Sequence, residues 1–143
     1  MSTSVSSESE AQPVGKTVAP LVVQTSRTVT APIGHVWEVL VSRQGAQALL
    51  GEGAVLGAKG EPYHCADGTS GVVRSYHPLE QLRVSWHATP DSPPSIVEVD
   101  LRADGAGTVV DLRHEKIVDE SLVPGLRERW DAGLKALGDT ATA

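Results

Sequence analysis

Residues 107–138 read G-T-V-V-D-L-R-H-E-K-I-V-D-E-S-L-V-P-G-L-R-E-R-W-D-A-G-L-K-A-L-G, and their hydrophobic period changes partway along. At first Val110, Leu112 and His114 alternate with Asp111, Arg113 and Glu115, the period of two of a strand with one buried face. From about Asp119 to Gly138 the spacing becomes helical. Leu122, Leu126, Trp130, Gly133, Leu134 and Leu137 share one face, and Arg127, Glu128, Arg129, Asp131 and Lys135 take the other. A long amphipathic helix directly after a half-buried strand must cover an apolar sheet face.

The preceding residues supply that sheet. The stretches GVVRSY, LRVSWHA and IVEVDL read as strands between turn signals at Gly57–Gly60, Ala66–Gly68, His77-Pro78, Thr89–Pro94 and Asp104–Gly107. Short turns between successive strands predict an antiparallel meander from about Val55 to Val118. Upstream, LVVQTSRTV is a further β-branched strand. Thr30 or Ala31 then caps a short helix over 32–41, with Pro32 in its first turn and Val36, Trp37, Leu40 and Val41 on its apolar face. A second short helix, Gln44 to Leu50, stops at Gly51 and Gly53. The expected fold is α+β, with about six or seven strands in a curved antiparallel sheet wrapped on the C-terminal helix. Two short helices follow the first strand. The Ser/Thr/Glu-rich residues 1–18 read as a disordered tail, 19–139 as one folded domain, and 140–143 as a disordered C-terminus.

Composition narrows the function. The chain has 143 residues, the length of one domain, and a net charge of −6. An acidic balance argues against nucleic acid and anionic membrane surfaces, because affinity for phosphates comes from neutralising them. No run approaches the roughly 20 apolar residues of a membrane span, and residues 1–20 lack the pattern of a signal peptide. The single cysteine, Cys65, has no internal disulfide partner, which fits a reducing compartment. A cytoplasmic location follows from these features. Three Trp, two Tyr and no Phe leave Val, Leu, Ile and Ala to build the core.

Four stretches in order carry a family resemblance. T-A-P-I-G-H-V-W-E-V-L (30–40) resembles the opening of the START-like, helix-grip superfamily, and more narrowly the branch named after the activator of heat-shock-protein ATPase. Gly71-Val-Val with Pro78, Leu82 and Trp86 is similar to that branch's double strand. Gly107-Thr108, Val110, Leu112 and His114 resemble a later strand, and Trp130, Leu134 and Leu137 its last helix. The likeness covers residues 22–138. It departs after the first helix, where the branch often carries a Trp pair and this chain has Ala48-Leu-Leu-Gly-Glu-Gly. The resemblance implies a cavity between sheet and helix that holds a small apolar or amphipathic molecule. In some relatives it implies polyketide cyclase or aromatase chemistry instead, and the branch name implies contact with a chaperone.

Strand alternation nominates the interior residues. Val110, Leu112 and His114 face inward, as do Val97, Val99 and Leu101, then Leu82, Val84 and Trp86, and finally Val23, Thr25, Arg27 and Val29. Ligand-contacting candidates are Arg27, Val29, Trp37, Tyr63, Cys65, Val84, Trp86, Val97, Val99, Leu112, His114, Leu126 and Trp130. Tyr63 and Cys65 share a face of an expected edge strand and would line an entrance. Arg27 and His114 are polar intruders on an aliphatic face. They would orient a polar group of a ligand, or, in an enzyme, act as enolate stabiliser and general base. The bland alternative is that each lies near a strand end, satisfied by solvent or a backbone carbonyl. No basic residue is placed to activate the Cys65 thiol. The five His lack metal-ligand spacing, and the Gly51–Gly57 run is one residue too long for a dinucleotide fingerprint. No cofactor or metal is expected.

Overall fold

In a computed structural model that describes residues 21–143, the change of period falls where the sequence places it. Strand β1 (Leu21–Val29) leads to helices α1 (Ile33–Val41) and α2 (Arg43–Leu50). Then come β2 (Pro62–His64), β3 (Ser70–His77), β4 (Gln81–Trp86), β5 (Ser95–Asp104) and β6 (Gly107–Ile117). A 3-10 turn, Glu120–Leu122, precedes helix α3, Val123–Ala141. The six strands form one antiparallel sheet in the order β1-β6-β5-β4-β3-β2. β2 to β6 are thus a meander, and β1 closes it by pairing with the last strand.

The inner face of that sheet is aliphatic. Val97, Val99, Val110 and Leu112 are each 2% exposed or less, and they form one core with Leu126, Trp130, Leu134 and Leu137 of α3. Helix α3 packs along β1 and α2. Glycine sets the close approaches. A Cβ on Gly71 would lie 1.8 Å from the Ser85 carbonyl oxygen and 2.6 Å from the Tyr63 ring. On Gly133 it would lie 2.9 Å from the Leu49 oxygen, where α2 crosses α3. No helix of the described residues is long and apolar enough to cross a membrane.

Two boundaries differ from the sequence reading. Pro32, rather than Thr30 or Ala31, is the N-cap of α1, with extended backbone and no side-chain cap bond. Helix α3 continues beyond residue 139 because Ala141 is buried and its carbonyl oxygen is 2.8 Å from His35 Nε2. The segment expected to be a disordered C-terminus therefore contributes to the core. The tail expected over 1–18, and the domain start at 19, lie outside the described residues.

The end of β6 carries a bulge. Val23 faces His114 while Leu21 faces Ile117, so β6 fits one extra residue into the ladder. Lys116 takes it up with φ 65°, in the left-handed region. Ile117 thereby turns into the core at 3% exposure, and Lys116 is left exposed.

These contacts make opposite predictions for two glycines. Gly71→Ala forces a methyl into a backbone carbonyl and should lower unfolding free energy by about 2 kcal/mol or more. Gly34→Ala in α1, where nothing lies within 4 Å of the added Cβ, should raise it by about 0.5 kcal/mol. Urea unfolding of both variants measures the contrast.

Candidate functional site

His114 sits at the centre of the aromatic residues. It is fully buried, with its ring centroid 5.0 Å from Trp86 and 5.8 Å from Trp130. Trp130 Nε1 lies 3.0 Å from His114 Nδ1. An indole N–H can only donate, so Nδ1 must be the bare, accepting nitrogen. The remaining ring proton is then on Nε2, which donates to Ser95 Oγ at 2.6 Å. Ser95 in turn donates to the Trp86 carbonyl at 3.1 Å. The chain Trp130–His114–Ser95–Trp86 thus ties α3 to β6, β5 and β4 with no polar atom of the imidazole left over.

Burial holds the His114 pKa down at about 4, and the Arg129 guanidinium nearby adds to the shift. A neutral ring with both nitrogens engaged has no lone pair free for a substrate proton, nor can it take the proton of Ser95. Arg27 does not join it. Arg27 faces Val110 and His114 faces Val23, four register positions apart or roughly 13 Å. Alternation places Arg27 on the inner face, yet it is exposed. Its stem passes Gly138, whose missing side chain leaves room (a Cβ there would be 3.5 Å from Arg27 Nε), and its head reaches solvent.

The cation that does reach the aromatic cluster is Arg129, which the helical pattern assigns to the solvent face. Its guanidinium carbon lies 5.6 Å from the ring centroids of both Trp86 and Trp130. Nη1 pairs with Asp67 at 3.0 Å, and Nη2 donates to the Leu50 carbonyl at 2.7 Å. Arg129 therefore pins the β2–β3 turn and the end of α2 to α3. Its position beside Trp130, at the border of the apolar face, was the available signal.

Most of the other candidates are packed in the core. Tyr63 and Cys65 are buried rather than lining an entrance. The Tyr63 hydroxyl donates to Ser85 at 2.8 Å, and Cys65 Sγ lies 3.6 Å from the Leu50 carbonyl. Burial pushes the Cys65 thiol up, outweighing its hydrogen bond with Thr69, so the sulfur stays protonated and unreactive. Trp37 is buried in the same core from helix α1, edge-on to Tyr76 at 5.3 Å and outside the lining of the pocket beside Trp86. Val29, Val84, Val97, Val99, Leu112 and Trp130 belong to the hydrophobic core. Among the described residues, no group of three or more His, Cys, Asp or Glu could hold a metal ion.

Three candidates, Trp86, His114 and Leu126, do meet at an open space. A pocket of about 290 Å³ lies between the β4–β5 loop, the end of β6 and the start of α3. Ala88, Ile117, Leu122 and Leu126 supply aliphatic wall, with Ser95 and Lys116 among its polar lining. The volume is near the lower end of the roughly 300–1,000 Å³ of small-molecule sites.

The histidine geometry has a measurable consequence. Because the folded pKa lies below the unfolded one, the unfolded chain binds more protons as pH falls from about 6.5 to about 4. The stability present above pH 6.5 is lost across that window, by up to about 3 kcal/mol. Urea unfolding between pH 7 and pH 4 should show the slope, and His114→Gln, which keeps an acceptor and a donor, should flatten its upper half.

No family profile and no curated protein matches the sequence. Solved structures do match its shape. CalU16 from Micromonospora echinospora aligns with TM-score 0.70 and 19% identity over 86% of this chain and 85% of that one. DynU16, from the dynemicin biosynthetic locus, aligns with TM-score 0.73 and 18% identity over 85% of this chain. That alignment spans only 47% of DynU16, so this chain corresponds to about half of it. The Aha1 dimer of Colwellia psychrerythraea aligns with TM-score 0.73 and 13% identity, over 85% of this chain and 96% of that one. At these identities the likeness is one of fold: a six-stranded antiparallel sheet, two short helices after the first strand and a long C-terminal helix give the chain the helix-grip fold.

Proposed function

We propose that this chain binds a small apolar or amphipathic molecule in the pocket beside Trp86 and the start of α3, and does not transform it. The pocket itself carries the reading. Its wall is largely aliphatic and includes one indole, which favours transfer of apolar surface from water. A cyclase-type reaction through His114 and Arg27 lacks support, because the two are held apart and His114 is engaged at both nitrogens. DynU16 belongs to a biosynthetic locus, and carriage, sensing or sequestration of a natural product or lipid suits a binding protein of the same fold.

A second reading rests on the Aha1 neighbour, whose chain is matched almost end to end. It makes this domain a chaperone-associated interaction module. Stimulation of a chaperone ATPase by the purified chain, in the absence of any small molecule, would favour it.

Tryptophan fluorescence and native mass spectrometry with two neutral probes, 1-decanol and 2-naphthol, test the first reading. Saturable quenching is expected, since Trp86 lines the pocket. Ala88→Trp places an indole in that space from a half-exposed position and should weaken binding about tenfold or more while the circular dichroism spectrum is retained. Absence of binding to both probes, or binding indifferent to the plug, overturns the proposal.

A further inference from the structure

Where β6 leaves the sheet, the bulge puts a cation on the lip of the pocket. Continued alternation after Leu112 and His114 would turn Lys116 inward and Ile117 outward. The extra residue reverses this. Ile117 is buried, and Lys116 is exposed at the pocket edge with φ 65°. A lysine seldom occupies that region of backbone space, and bulges commonly re-aim side chains beside binding sites.

Lys116 also borders a second recess, of about 440 Å³, whose lining includes Arg74 and Arg83. The two spaces meet along Lys116 and the adjacent Pro93 and Pro94. Arg83 is occupied by Glu115 at 3.2 Å and Glu98 at 3.7 Å. Lys116 and Arg74 have no ion-pair partner among the described residues. One carboxylate, Asp119, lines the pocket on the other side. Its Oδ1 accepts from the backbone N–H of Ser121 at 3.0 Å and from the Ser121 hydroxyl at 2.6 Å, bonds that hold its pKa down, so it caps the 3-10 turn as an ionised carboxylate and favours a head group placed on the Arg74 side of Lys116. A chain of net charge −6 thus has one cation without an ion pair, Lys116, on the edge of the apolar pocket, and a second, Arg74, in the recess that shares Lys116 with it.

Resting on the pocket reading above, we propose that the ligand is an amphipathic anion. Its apolar body lies against Trp86, Leu122 and Leu126, and its carboxylate or similar head crosses the lip to Lys116 and Arg74. Lys116 is then the residue that selects an anion over a neutral molecule of the same size.

Decanoate and 1-decanol, matched in chain length, separate the two claims. The wild-type chain should bind decanoate about fivefold more tightly than decanol at low salt, the scale of one solvent-exposed ion pair. That preference should shrink as salt is raised. Lys116→Asn, which tolerates the left-handed backbone, should bring the decanoate-to-decanol ratio close to one. Lys116→Arg should keep the preference, and Arg74→Gln should reduce it from a position outside the bulge. A ratio of one in the wild-type chain, or a ratio unchanged in Lys116→Asn, overturns the anion claim while leaving a neutral-ligand pocket standing. Failure to bind either probe overturns the pocket reading, and this inference falls with it.

Discussion

The hydrogen bond from Trp130 to His114 is the constraint around which the site is arranged. A buried imidazole without partners would be costly, because each unpaired polar atom loses its water without replacement. Here the indole N–H fixes the tautomer, the tautomer fixes Ser95 as acceptor, and Ser95 passes its own proton to the Trp86 carbonyl. Each donor has one acceptor it can use. The chain crosses from helix to three successive strands, so register of the sheet and rotation of α3 are fixed together.

That arrangement also decides the chemistry. The same bonds that make His114 tolerable in the core remove it from acid–base work, since its one lone pair already accepts from Trp130. Arg129 adds to this by laying positive charge over the same aromatic rings, which opposes an imidazolium. A polar residue on an apolar strand face is here a structural joint, and the function has to be sought in the space beside it.

The fold was legible because it depends on period. Alternation in β4 to β6 and the helical stripe from Leu122 to Leu137 follow directly from one-sided burial. The site was less legible, because it depends on where periodicity fails. Arg27 breaks the inward pattern through the gap at Gly138, three-dimensional information that strand alternation lacks. Arg129 breaks the outward pattern through partners on the β2–β3 turn and α2. Ser95 is an ordinary strand-end serine until His114 is seen to need an acceptor. The bulge at Lys116 is invisible in a sequence that alternates evenly up to it.

The lack of phenylalanine bears on where the pocket lies. Valine and leucine at the centre of the sheet pack closely with Leu134 and Leu137, and these residues are almost wholly excluded from solvent. The bulky rings Trp86 and Trp130 are gathered toward one end, in edge-to-face contact at 6.2 Å. Beyond them the strands diverge into the Thr89–Pro94 loop and the bulge, where main-chain irregularity prevents the regular interdigitation of side chains. The open space beside Trp86 therefore lies at the end of the grip. The proposed ligand would meet one tryptophan, aliphatic walls and a charged lip there, so its selectivity should come from shape and charge rather than from aromatic stacking.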